Sequence, residues 1–251
     1  MLSTSVTRKK SDSRTPVPGR AGRSYRQYCA LARGLDVLGD RWTLMIVRDL
    51  LLGPKRYKDL LAGLPGIGTN LLADRLREMT TLGIAEQVVL PPPAGSTVYR
   101  LTETGMALEP VLMAIARWGA RFMGERREDD WLSPSAYFLA MRAVFNPAKA
   151  KRDECFEVRV GEKVFEVRVA GGRCTTREGQ PPAPDVVIAL DVEALNALLV
   201  EDLPPALALT RGLVTVKGDL DALERFVGMF RIHFPSPAVA SLTRPLPDCQ
   251  A

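Results

Sequence analysis

Histidine is almost missing from this chain of 251 residues: His233 stands alone. A zinc site built on several imidazoles is therefore excluded, and a Ser-His or Cys-His nucleophile has a single candidate base. Cysteine is scarce too. Cys29, Cys155, Cys174 and Cys249 contain no Cys-x-x-Cys pair, and a reducing cytoplasm is the expected location. Long apolar runs are lacking. A stretch such as residues 50–52 falls far short of the roughly 18–20 residues that span a bilayer, and the N-terminus has no apolar signal-peptide core, so no membrane partner is expected. No motif brings a nucleophile together with a base. An enzyme is the least favoured class, and no cofactor or metal is predicted.

What the chain does have is 46% hydrophobic and 25% charged residues, enough for one or two ordinary cores. The net charge of +5 is a gradient. Residues 1–24 carry six basic side chains against Asp12, residues 25–124 carry 12 against 9, and residues 125–251 carry 16 against 19. Charge marks the N-terminal part for a polyanion. Residues 1–24 read as a disordered basic arm, a DNA contact or a solubilising tail. Periodicity then runs over 25–124, breaks in a charged linker at 125–130, resumes over 131–235, and gives way to a Pro-rich tail at 236–251.

In the first region Asp40 is a candidate cap for a helix with Trp42, Ile46 and Leu50 on one face, stopped by Gly53-Pro54. A short helix over 57–62 and a turn at Gly63-Leu64-Pro65-Gly66 follow. A third helix runs from Gly68 towards Gly83, with Leu72, Leu76 and Met79 inward. Two strands, 85–90 and 97–101, flank a breaker-rich loop. Three helices and a hairpin make a winged helix-turn-helix.

The outward face of the third helix carries Asn70, Asp74 and Arg77 at i, i+4, i+7, with Thr69 at its start and Ala73 between. Those side chains suit base edges in the major groove: Asn for adenine, Arg for guanine, Asp for cytosine. The plainer alternative is a solvated face. Lys55, Arg56, Lys58, Arg75 and Arg100 fall where phosphate contacts are expected. After the wing, Leu108, Val111, Leu112, Ile115, Trp118 and Phe122 keep helical spacing, with Pro110 expected to kink or restart the helix. This stripe covers either a second copy or the second domain.

The residues Leu35-Asp36-Val37-Leu38-Gly39-Asp40-Arg41-Trp42, Gly53-Pro54-Lys55-Arg56-Tyr57, Leu64-Pro65-Gly66-Ile67, Leu72-Ala73-Asp74-Arg75-Leu76-Arg77-Glu78 and Tyr99-Arg100-Leu101-Thr102 resemble the HxlR-type winged-helix transcription regulators over residues 28–123. The resemblance implies a homodimer that binds double-stranded DNA at an inverted-repeat operator. It also aligns Cys29 with a cysteine that some members use to sense oxidants or electrophiles, with Tyr25, Arg26 and Arg33 nearby. A small apolar role for Cys29 is the alternative. Two positions depart from the pattern: Gly68 replaces a serine-type cap, and Glu86-Gln87 replace a more basic start of the wing.

Residues 131–235 predict an α+β domain, one sheet with helices over one face. Trp131, Tyr137, Phe138, Met141 and Phe145 suggest a helix. Phe156, Val158, Val160 and then Phe165, Val167, Val169 alternate as a hairpin, in a register that sets Glu157 against Arg168 and Arg159 against Glu166. Strands over 173–177, 186–190 and 213–216 alternate with helices begun by Asp191 and Pro204-Pro205 and one carrying Leu220, Leu223, Phe226 and Phe230. The order, with Pro184-Asp185-Val186-Val187-Ile188 and Gly212-Leu213-Val214-Thr215-Val216-Lys217-Gly218-Asp219, resembles the sterol-carrier-protein type 2-like fold. That resemblance implies an apolar tunnel for a hydrophobic small-molecule effector, lined by Phe138, Met141, Phe145, Phe165, Leu199, Phe226 and Phe230. A core with no tunnel is the alternative, as is a lipid carrier whose winged helix contacts proteins.

Overall fold

The computed structural model describes residues 24–91, 95–124, 126–127 and 129–233. The basic arm up to Arg23, the Pro-rich tail with Cys249, and Glu125 and Glu128 of the linker lie outside the described residues. The N-terminal half runs α1 (Ala30–Leu38), α2 (Thr43–Leu50), α3 (Tyr57–Gly63), α4 (Thr69–Thr81), β1 (Ala85–Val89), β2 (Thr97–Leu101), α5 (Glu103–Met106) and α6 (Glu109–Gly119). The predicted helix, helix, helix, hairpin order is α2, α3, α4 and the β1–β2 wing. Ile46, Val47 and Leu50 of α2, Leu60 of α3 and Leu72, Leu76 and Met79 of α4 close one apolar core. Helix α1 is not among the predicted elements; it is amphipathic, but only Ala32 of it is buried. Pro110 occupies the first turn of α6 rather than kinking it, the position where a missing N–H costs least.

The C-terminal half runs α7 (Pro134–Val144), β3 (Glu154–Val160), β4 (Lys163–Ala170), β5 (Arg173–Glu178), β6 (Val186–Leu190), α8 (Val192–Leu199), α9 (Pro205–Thr210), β7 (Val214–Lys217) and α10 (Ala222–Phe230). The sheet order is β5-β4-β3-β6-β7, with β3 and β6 parallel and the other neighbours antiparallel. Helices α7 to α10 pack on the face that carries Phe156, Val158 and Val160. Asp191 caps α8 as predicted, its carboxylate accepting from the Ala194 N–H at 2.7 Å. Trp131 and Leu220 are exposed and lie ahead of the helices they were assigned to.

The β3–β4 register differs from the predicted one by two residues: Glu157 faces Glu166, and Cys155 faces Arg168. The turn decides this. Val160 pairs with Lys163 around Gly161-Glu162, and Gly161 takes φ 59°, which suits the first position of a two-residue hairpin turn. The arginines still reach the carboxylates along their own strands: Arg159 Nε donates to Glu157 at 2.6 Å and Arg168 Nε to Glu166 at 2.9 Å. Among the described residues no helix is long and apolar enough to cross a membrane.

Candidate nucleic-acid interface

Helix α4 starts at Gly68, whose extended backbone (φ −75°, ψ 151°) provides no side-chain cap. The first-turn amides of α4 therefore remain open to an external acceptor, the arrangement that binds a phosphate. Tyr57 ties α3 to this turn, its hydroxyl donating to the Thr69 carbonyl at 2.6 Å. Leu72, Leu76 and Met79 are buried, and that fixes the opposite face outward. Thr69, Asn70, Asp74 and Arg77 are exposed there, with Ala73 half-buried between them. Arg77 is held by Asp74 at 2.7 Å, but both side chains are more than half exposed. A pair so open to solvent is worth little and can be exchanged for a base edge.

The five predicted phosphate contacts separate. Lys58 is exposed and Arg56, at the start of α3, half-buried. Arg100 is exposed on β2 and pairs across the wing with Glu86 at 2.7 Å, again a pair open to solvent. Lys55 and Arg75 are not available, and both assignments are corrected. Lys55 is 4% exposed and ion-paired to Glu178 of β5, while its backbone bridges to Tyr99. Arg75 is 3% exposed and bonded to Asp40 and Glu78. Arg75 is a brace between α4 and the start of α2.

Helix α6 buries none of its residues. Leu108 and Leu112 lean on the winged-helix core. Val111, Ile115, Trp118 and Phe122 are exposed, Trp118 by 61%, and the Trp118 and Phe122 rings lie 4.7 Å apart. These four side chains are left uncovered by the described residues of the chain.

Cys29 is exposed at the N-terminal end of α1, and Arg33 and the Tyr25 N–H both turn to Asp36. Burial pushes the Cys155 thiol up, and the Cys174 thiol up to about 12.

The seven residues predicted to line a tunnel are corrected to core packing, six of them buried and Phe145 half-buried against them. Phe138, Met141, Phe165, Leu199 and Phe230 are fully buried and Phe226 nearly so, leaving no water-sized void against them. Phe138 stacks on Phe165 at 3.8 Å, Phe226 meets Phe230 at 5.0 Å, and Phe145 meets Phe230 at 5.7 Å. Rings occupy the space a ligand would need. A groove of about 490 Å³ opens beside Val144, Asn146, Lys149, Val227, Met229 and Arg231, a mixed apolar and polar lining that includes none of the seven predicted residues.

Sequence reasoning missed Arg142, Glu178 and Glu109, which join the two halves. The available signal was Arg142 itself, a cation four residues after Phe138 on an otherwise apolar helix face.

Residues 37–127 match a family model described as HxlR-like helix-turn-helix, and residues 146–231 match the SCP-2 sterol transfer family. The chain is 32% identical over 103 residues to YvaP of Bacillus subtilis, an uncharacterized HTH-type transcriptional regulator, covering 41% of this chain and 87% of that one. It is 38% identical over 87 residues to the HTH-type transcriptional regulator YodB of the same organism, covering 35% of this chain and 78% of that one. A crystal structure of quinone-bound YodB shares 34% identity, covers 37% of this chain and 97% of its own, and superposes with a TM-score of 0.33.

Proposed function

Because the chain belongs to the HxlR-like helix-turn-helix family and carries an SCP-2 sterol transfer domain behind that region, we propose that it is a homodimeric, sequence-specific DNA-binding transcription regulator without enzymatic activity. The observation that carries this reading is the exposed Asn70, Asp74 and Arg77 row on α4, set between a short helix and a wing. In this reading α4 enters the major groove, Asn70 and Arg77 take base edges, and Ala73 meets a thymine methyl. Arg56, Lys58 and the Thr69 turn take phosphates, which set affinity without reading sequence. The uncovered stripe Val111, Ile115, Trp118 and Phe122 is the seam between two copies, so that two α4 helices face an inverted repeat. Genomic footprinting of bound DNA tests the proposal. Paired half-sites in inverted orientation are the expected result, and bound fragments that share no motif contradict it.

The family match of the second half supports an apolar effector. At the predicted position such a molecule enters by displacing rings, and it regulates only by favouring one conformation over another. Native mass spectrometry of the purified protein shows whether one co-purifies. A thiol switch is the second reading, favoured by the exposure of Cys29 where Cys155 and Cys174 are shielded. Cys29→Ser then abolishes oxidant-dependent release of DNA. Unchanged release removes that reading.

A further inference from the structure

The two halves exchange core residues. Leu139 of α7 is buried in the winged-helix core, and Leu52, just beyond α2, is buried in the C-terminal core. Arg142 lies at this crossing, and its guanidinium reaches three elements. Nε donates to Thr176 Oγ1 of β5 at 2.9 Å, Nη1 to Glu109 Oε1 at 2.9 Å, and Nη2 to the Leu51 carbonyl at 3.2 Å and to the Thr176 carbonyl. Beside it the Glu178 N–H donates to the Leu52 carbonyl at 2.7 Å, and the Glu178 carboxylate holds Lys55. Lys55 in turn exchanges backbone hydrogen bonds of 2.9 and 2.8 Å with Tyr99 of the wing.

Each contact is placed where backbone electrostatics favour it. The carbonyls of Leu51 and Leu52 are the open C-terminal end of α2, which a cation and an N–H donor satisfy. Glu109 lies in the first turn of α6, where negative charge is favoured. One side chain of the second domain thus ties the end of α2 to the start of α6. Half-buried Leu108, Leu112 and Met113 lean α6 on the winged-helix core, and with none of its residues fully buried the Arg142–Glu109 tie adds to that packing in setting its direction.

We propose that Arg142 is a positioning residue for operator recognition: it fixes the angle between α6 and the helix-turn-helix, and so the separation of the two recognition helices across the dimer. The inference rests on the dimeric DNA-binding reading above. Half-site spacing is then read through the C-terminal domain, with Glu109 as the acceptor on the dimer helix. Lysine cannot replace the guanidinium, because a single ammonium does not reproduce its planar fork.

The test carries full-length wild type, Arg142→Lys and Glu109→Gln through selection from random-sequence duplexes. The wild-type winner is then resynthesised with one base pair inserted or deleted between its half-sites. Wild type is expected to lose about tenfold or more on the respaced duplexes, the scale of one mismatched contact. Both variants, dimeric by light scattering and melting cooperatively, are expected to lose most of that discrimination, Glu109→Gln less than Arg142→Lys. Glu109 is half-buried and more open than Arg142, so its near-isosteric variant reports even if Arg142→Lys folds poorly. Wild-type spacing discrimination in a folded variant overturns the inference and leaves the dimeric reading standing. A wild type that enriches no paired half-sites overturns that reading and this inference with it.

Discussion

In the N-terminal half Asp74 and Arg77 of α4 point outward in a loose pair, and the apolar face of α6 is left open. In the C-terminal half the aromatic rings are packed against one another, and the carboxylates of Glu154, Glu157 and Glu166 are drawn under arginines. The outward row of α4 is held only by a solvent-open pair, whereas the sheet domain's buried carboxylates are ion-paired, with Ser135 Oγ the buried side-chain atom left without a partner among the described residues. The difference supports the proposal that α4 and α6 bind external partners while the sheet domain braces them. Arg142 and Glu178 are the places where the support reaches the binding half.

The contrast can be broken most forcefully at Phe138. Phe138→Ala removes a ring from a filled core and is expected to cost about 3–5 kcal/mol, read as a lowered unfolding midpoint. A neutral result means the second half is not packed as described. Trp118→Ala should do the reverse. Its ring is exposed in one chain, so monomer stability changes by only about 0.5 kcal/mol or less, yet light scattering should show the dimer dissociating. A variant that stays dimeric and loses stability places Trp118 in an intrachain core instead.

A smaller effect separates the two neighbouring lysines. Lys58→Ala is expected to weaken binding to all duplexes alike and to reduce the salt slope of affinity by about one. Lys55→Met should leave that slope unchanged, because its ammonium is already held by Glu178. Equal slopes for the two variants remove this distinction.

Mild acid gives the smallest and most diagnostic effect. Burial pushes the Asp49 carboxyl up, against the pull of Arg48 and Lys55. Burial also raises Glu154 and Glu166, but hydrogen bonds from Arg225 and Arg152, and from Arg177 and Arg168, hold both below the usual range. The signs are opposite. A raised carboxyl binds its proton more readily folded than unfolded, so α2 gains stability as pH falls through the window above the ordinary aspartate range. The lowered carboxylates contribute stability that is complete above the ordinary glutamate range and lost as pH falls through and below it. Hydrogen exchange should show β3 and β4 losing protection in acid before α2 does. The opposite order contradicts the contrast.

Most of the winged helix was legible because its period is strong: Leu72, Leu76 and Met79 fix the inward face of α4, and the outward row follows. What failed depended on information that is not local. Lys55 and Arg75 read as free cations because their partners, Glu178 and Asp40, lie 123 and 35 residues away. The joint at Arg142 spans 91 residues to Leu51 and leaves no local spacing pattern. In the sheet domain, apolar alternation gave strands and core, but alternation is the same for a packed core and a tunnel. The β3–β4 register was predicted from charge pairing, and the Gly161-Glu162 turn overrode it.

Reading of base edges by Asn70 and Arg77 of α4 is what the proposed function stands on. It is tested most directly by measuring the affinity of wild type and of an Asn70→Ala/Arg77→Ala variant for the selected operator and for a scrambled duplex at one salt concentration. Both side chains are exposed, so the variant should fold as wild type does. The account predicts that its operator affinity falls by about a hundredfold or more, to the scrambled-duplex level, with scrambled binding little changed. A folded variant that binds the operator as tightly as wild type contradicts it.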